Sequence, residues 1–258
     1  MGSVAIVALL WGGLLFSVLV ALGAIAGLRE WHRLLNAGQF AREMIPTSAA
    51  ILAVVWLGHA ANGAVLGSFA IFLGAVGAAV LAASRKATVL WPMGWHAFGA
   101  VYLGLPSLAM ILLRDQPRGA AIVGAIFVAV WTADTGALLF GRLIGGPKFA
   151  PVLSPKKTWS GFLGGTVAAG LMEALYVGLL HGAILEGAAF GILLALSGHF
   201  GDLFESWVKR QFRAKDMGRL IPGHGGMLDR IDSLLFAAPV CAALVLLAGF
   251  DPLAGGTT

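Results

Sequence analysis

The chain has 258 residues, of which 59% are hydrophobic and 11% charged, with a formal net charge of +5. A mean hydropathy of +0.90 excludes an ordinary soluble domain, in which about 25% of residues are charged. Basic residues flank apolar runs instead of forming one polar face, which argues against a nucleic-acid partner.

The apolar runs are long and continuous, unlike the roughly ten-residue alternating segments of a membrane β-barrel. The expected fold is therefore all-α, a polytopic transmembrane helical bundle. Eight spans are expected, at about residues 4–28, 45–61, 63–83, 95–113, 119–140, 160–181, 184–203 and 232–250. No Lys or Arg precedes Arg29, so the first run reads as a retained helix and not as a signal peptide. Gly58 and Gly63 frame a tight turn that makes a hairpin of spans two and three. Pro92 and Pro106 are expected to kink or split the fourth span, and a split gives a ninth. Cys241, the single cysteine, reads as a small buried hydrophobe. Most of the 37 glycines read as close-packing surfaces between helices. One integral-membrane domain is expected over residues 1–258, with plain apolar spans in 1–118 and the charged clusters in 119–250.

Positive charge sets an orientation. With the segment after the first span in the cytoplasm, fifteen of the 17 Lys and Arg residues fall on that side, and only Arg114 and Arg118 fall outside. Both termini are then non-cytoplasmic.

Three polar clusters share the cytoplasmic side. The first is Asp134, late in the fifth span; a carboxylate within a span is a functional candidate by default, the alternative being a structural Asp bonded to a neighbouring helix. The second is the loop 141–161, with Arg142, Lys148, Lys156 and Lys157 and no acid. Ser154 reads there as an N-cap and Pro155 as the first helical position. Two lysines in a first turn oppose the helix dipole, and a bound phosphate resolves that conflict. A lipid-headgroup anchor is the alternative. The third is residues 201–233, which hold five of the 12 acids and six of the 17 basic residues. Asp202, Glu205, Ser206 and Lys209 recur at i, i+3, i+4 and i+7, one helical face, and Asp229 and Asp232 share another. Two acidic helix ends joined by a Gly-rich turn can meet to hold a hard cation such as Mg²⁺, which prefers oxygen ligands together with substrate phosphates. Surface salt bridges are the alternative. Among the histidines, His199 lies one turn from Asp202, and His224 stands apart for its glycine neighbours.

The run Ser206-Trp207-Val208-Lys209-Arg210, followed by Lys215-Asp216-x-Gly218 and then Pro222-x-His224-Gly225-Gly226-x2-Asp229-Arg230-x-Asp232, resembles the signature of the phosphatidate cytidylyltransferase (CDP-diacylglycerol synthase) family. Ala133-Asp134-Thr135-Gly136-Ala137, Gly141-Arg142 and Leu153-Ser154-Pro155-Lys156-Lys157-Thr158 also look like this family, so the resemblance covers roughly residues 127–233. Many members carry Glu where this chain has Ser160.

The resemblance implies transfer of the cytidylyl group of CTP to phosphatidate, giving CDP-diacylglycerol and pyrophosphate with Mg²⁺, in phospholipid biosynthesis. On this reading Asp202, Asp229, Asp232 and Glu205 hold the metal. Ser154, Lys156, Lys157, Lys209, Arg210 and Arg230 bind substrate phosphates, and His224, Gly225 and Gly226 form the nucleotide-side turn. Asp134 shapes the cavity or orients a polar partner, and Asp202, Asp229, Lys209, Lys156 and Asp134 form the catalytic set. The expected partners are CTP, phosphatidate and membrane lipid, in the inner (plasma) membrane with the site facing the cytoplasm; a homodimer is left open. The alternatives are a CTP-dependent transferase acting on another lipid phosphate and a transporter of an anionic solute.

Overall fold

A computed structural model describes residues 2–36, 39, 41–84, 90–218, 225–251 and 253. Seven of its helices are long and apolar enough to cross a membrane, and an eighth, shorter apolar helix accompanies them. The chain divides into two compact units, residues 1–120 with 211–231, and residues 121–210 with 232–258.

The first unit begins with α1 (Gly2–Trp11) and α2 (Gly13–Leu35). The sequence reads as one uninterrupted span here, but Gly12 has φ +71° and breaks it. The break is held from outside: Arg114 Nε donates to the Leu9 carbonyl (3.0 Å), a cation at the end of α1 where the helix dipole is negative. The shorter apolar helix, α3 (Met44–Leu57), and α4 (Gly63–Ala83) follow as the expected hairpin. In α5 (Leu90–Arg114), Pro106 lies inside one continuous helix and does not split it. Val54, Ile71, Leu108 and Ile111 form a buried cluster among α3, α4 and α5. Trp31 of α2 packs on Trp95, Phe98 and Tyr102 of α5, and its indole N–H donates to the Trp95 carbonyl (2.9 Å), which satisfies the one polar group a buried Trp carries.

The second unit contains nearly all of α6 (Gly119–Leu143), a hairpin of β1 (Lys148–Ala150) and β2 (Ser154–Thr158), α7 (Trp159–Leu179), nearly all of α8 (Ile184–Gln211) and most of α9 (Leu228–Ala242). The helices meet through small residues, as packing without a hydrophobic driving force requires. Ala133, Ala169 and Ala195 form one buried point of contact among α6, α7 and α8. Glu173 of α7 is fully buried, and a methyl group on Gly191 of α8 would lie 2.4 Å from its Cβ.

Residues 154–158 correct one expectation. They form a strand and not a helix start; the helix begins at Trp159, and Thr158 is its N-cap, with extended φ −117° and ψ 156° and a side-chain oxygen that accepts from the Gly161 N–H (3.2 Å). A Pro tolerates this place because neither strand of a two-stranded hairpin needs every N–H paired.

Gly191→Val tests the α7–α8 seam. Overpacking a filled interface costs about 1–3 kcal/mol, so the thermal midpoint should fall by several degrees with the secondary structure retained; an unchanged midpoint would show a looser seam.

Candidate metal and phosphate site

In the second unit α8 and α9 touch at backbone level. A methyl group on Gly201 would lie 2.4 Å from the Asp232 carbonyl oxygen, and one on Gly198 would lie 3.3 Å from Ser233 Cβ. This closeness sets the chemistry. Asp202 and Glu205 project from α8 beside Asp232 of α9, and one carboxylate oxygen from each lies within 4.8 Å of the others. Asp232 Oδ1 also accepts from the Ser233 N–H (2.8 Å). Asp134 of α6 lies within electrostatic reach of both Asp202 and Asp232.

Two ammonium groups answer these carboxylates. Lys157 pairs with Asp202 Oδ2, and Lys209 pairs with Glu205 Oε2 at 2.7 Å along one helical face. Glu205 is only 1% exposed, so its pairing is shielded from water and stronger than a surface ion pair. Strand alternation in β2 separates the two lysines that the sequence groups together: Lys157 is half-buried toward Asp202, while Lys156 is exposed. Ser154 sits opposite Ala150 in the hairpin, and Arg210 is exposed at the end of α8. Ser160 Oγ, at the position where Glu is common in the family it resembles, donates to the Gly145 carbonyl (2.5 Å) and meets Thr158 Oγ1 (3.0 Å). It thereby ties the 145–147 turn to the start of α7. His199 is 7% exposed and packs against Phe162 with the rings tilted by 43° (ring centroids 5.0 Å). Its Nε2 has no hydrogen-bond partner, and it lies within electrostatic reach of Lys157 and Asp202.

Four carboxyl groups (Asp134, Asp202, Glu205, Asp232) face two ammonium groups (Lys157, Lys209), and a divalent cation can compensate the acids left without a partner charge. An all-carboxylate donor set suits a hard cation of the Mg²⁺ or Mn²⁺ kind, so the residues present fit a metal ion.

The remaining acid of the motif, Asp229, belongs to the first unit. Its Oδ2 accepts from the Gly226 N–H (3.0 Å) and the Met217 N–H (3.1 Å), and the adjacent Leu228 N–H donates to Glu30 Oε2 (2.9 Å). The bonds from Gly226 and Leu228 satisfy backbone donors at the start of α9 that have no partner within the helix, and the bond from Met217 ties an earlier segment to the same place. Gly225 has φ +83°, a conformation that glycine adopts without the cost a side chain would add. Arg230 is exposed. His224 lies outside the described residues.

A family model described as "Cytidylyltransferase family" matches residues 1–248. The chain belongs to this family. A phosphatidate cytidylyltransferase of Brucella suis biovar 1 (strain 1330) is 50% identical over 149 residues, 56% of this chain and 54% of that protein. Proteins of the same name from Rickettsia bellii (strain RML369-C), 38% identical over 151 residues, and Staphylococcus epidermidis (strain ATCC 35984), 41% identical over 140 residues, cover 55% and 53% of this chain. These matches take in 65% and 54% of the two relatives. The chain thus matches about half the length of the first of these relatives. Together with the seven apolar helices, the family membership makes this a membrane protein whose acid cluster can bind a metal ion.

The cluster should stabilise the fold when a cation fills it, because a ligand bound only by the native state raises its stability. In wild-type protein the thermal midpoint should rise with millimolar Mg²⁺. In Gly201→Val, which must push α9 away from α8, the rise should vanish; an equal rise in both would separate cation binding from the α8–α9 contact.

Proposed function

We propose that the protein transfers the cytidylyl group of CTP to phosphatidate, releasing pyrophosphate and forming CDP-diacylglycerol. The observation that carries this is the meeting of Asp202, Glu205 and Asp232 beside two lysines, in a chain of the cytidylyltransferase family whose relatives bear the name phosphatidate cytidylyltransferase. In the reaction a phosphate oxygen of the lipid bonds to the α-phosphorus of CTP, and the bond from that phosphorus to the β-phosphate bridging oxygen breaks. Both reactants are anionic, so the barrier is lowered mainly by positioning and charge neutralisation. No protein nucleophile is needed, because the lipid phosphate is already ionised.

Asp202, Glu205 and Asp232 would hold Mg²⁺, and Asp229 would serve the reaction from the start of α9, where it holds the Gly226 and Met217 N–H groups. The cation, when bound, would neutralise phosphate charge and orient the phosphates of CTP. Lys157 and Lys209, already held by Asp202 and Glu205, would present their remaining N–H donors to phosphate oxygens at fixed positions. Lys156, Arg210 and Arg230 would contribute a looser field that gathers anions. Asp134 would shape the second unit's side of the site from α6, within electrostatic reach of Asp202. The site would open to the cytoplasm, where the basic loops fall by the positive-inside pattern, in the inner membrane of the cell.

The test is pyrophosphate release by purified protein in lipid micelles. Release should require CTP, phosphatidate and Mg²⁺ together. A different lipid phosphate supporting the release better would reassign the acceptor, and anion flux across vesicles with no pyrophosphate from any acceptor would overturn the enzyme reading in favour of transport. Asp202→Asn should cut turnover by about 10²–10³-fold with an unchanged thermal midpoint in the absence of metal. Lys157→Ala should raise the KM for a phosphate-bearing substrate far more than Lys156→Ala; equal effects would count against the inward placement of Lys157.

A further inference from the structure

One face of α2, within the first unit, is shaped to receive the start of α9. Gly23, Gly27 and Glu30 stand at i, i+4 and i+7, on a single helical face. A methyl group on Gly23 would lie 3.1 Å from Met227 Cε, and one on Gly27 would lie 3.2 Å from Leu228 Cδ2. Glu30 closes the row. It is 4% exposed, and its Oε2 accepts from the Leu228 N–H at 2.9 Å across 198 residues of sequence.

The same carboxylate accounts for two glycines of the motif. A methyl group on Gly218 would lie 2.2 Å from Glu30 Oε1. One on Gly226 would lie 2.7 Å from Glu30 Oε2, 2.8 Å from Asp229 Oδ2 and 2.9 Å from the Gly218 nitrogen. Glu30 and Asp229 therefore grip the same stretch of backbone from two sides. Asp229 takes the N–H groups of Met217 and Gly226, and Glu30 takes that of Leu228. No ion pair explains the burial of Glu30 among the described residues, and its Oε1 has no hydrogen-bond partner. Such a group persists where the geometry it enforces is worth the desolvation it costs.

We propose that Glu30 is a positioning residue for the reaction: it fixes residues 217–218 and 226–228 against α2, and so sets the angle at which Asp229 leaves α9. This rests on the proposed cytidylyl transfer for its consequence in catalysis, and on backbone geometry alone for its consequence in structure. Glu30 is not a ligand of substrate; it acts through Asp229.

The experiment compares wild type, Glu30→Gln, Glu30→Ala, Gly218→Ala and the Glu30→Ala/Gly218→Ala pair, each as the full chain in detergent. Two quantities are read: amide hydrogen exchange over residues 225–231, without substrate, and kcat with KM for CTP. Glu30→Ala should speed exchange at Leu228 and lower kcat by about 10–100-fold, the usual loss when the partner that orients a site residue is removed. Glu30→Gln keeps a carbonyl acceptor and should restore slow exchange and most of kcat. Gly218→Ala should reproduce the loss by displacing the carboxylate, and the pair should be no worse than Glu30→Ala, because the truncated side chain leaves room for the new methyl. Additive losses, or exchange at Leu228 that is unchanged in Glu30→Ala, would overturn the proposal. If the wild type releases no pyrophosphate, the proposed function fails, and the exchange arm still decides whether Glu30 holds the backbone.

Discussion

The site depends on how closely two helices approach. Gly198 and Gly201 leave α8 without side chains where α9 crosses it, so the Asp232 backbone rests where a Cβ would otherwise stand. That contact brings an acid of α9 beside two acids of α8. Like charges at such range repel, and apolar surroundings strengthen the repulsion. Cations among the carboxylates relieve that repulsion. Lys157 and Lys209 supply part of that charge, and the acid cluster can take a metal ion for the rest. Small residues at the helix seam and acids beside it are thus one feature: the first removes distance, and the second sets carboxylates close enough for one ion to reach several of them.

The β-hairpin places its lysines as the α8–α9 contact places its acids. A helix in place of β2 would have carried Lys156 and Lys157 around its first turn. A strand sends them to opposite sides, so one lysine is committed to Asp202 and the other stays in solvent. Thr158 then starts α7 by taking up the Gly161 N–H, and Ser160 fastens the preceding turn through Gly145. The short polar segment between α6 and α7 is therefore tied down by side-chain hydrogen bonds on both sides of the helix start that follows Lys157.

What was legible in the sequence follows the range of the interactions involved. The apolar spans could be read because each announces itself locally by length and hydropathy. The face formed by Asp202, Glu205 and Lys209 could be read for the same reason, since i, i+3 and i+7 lie together on any helix, and the Glu205–Lys209 pair is the direct result. The break at Gly12 could not, because a continuous apolar run conceals the positive φ of Gly12 and Gly13, and Arg114, which holds the Leu9 carbonyl before it, lies 105 residues from Leu9. Residues 154–158 misled because Pro serves equally at a first helical position and in an exposed strand; what decides is pairing with 148–150, a contact no local pattern contains. Glu30 had a faint signal in its spacing from Gly23 and Gly27, but its partner is a backbone N–H near the other end of the chain, and nothing in residue type marks that.

The measurement that bears most directly on this account is a count of bound Mn²⁺, as a stand-in for Mg²⁺, by electron paramagnetic resonance on purified protein without nucleotide or lipid. The account predicts a saturable site whose affinity falls sharply in Asp232→Asn while the helical content and thermal midpoint of the metal-free protein hold. Mn²⁺ binding of equal number and affinity in wild type and Asp232→Asn would contradict it.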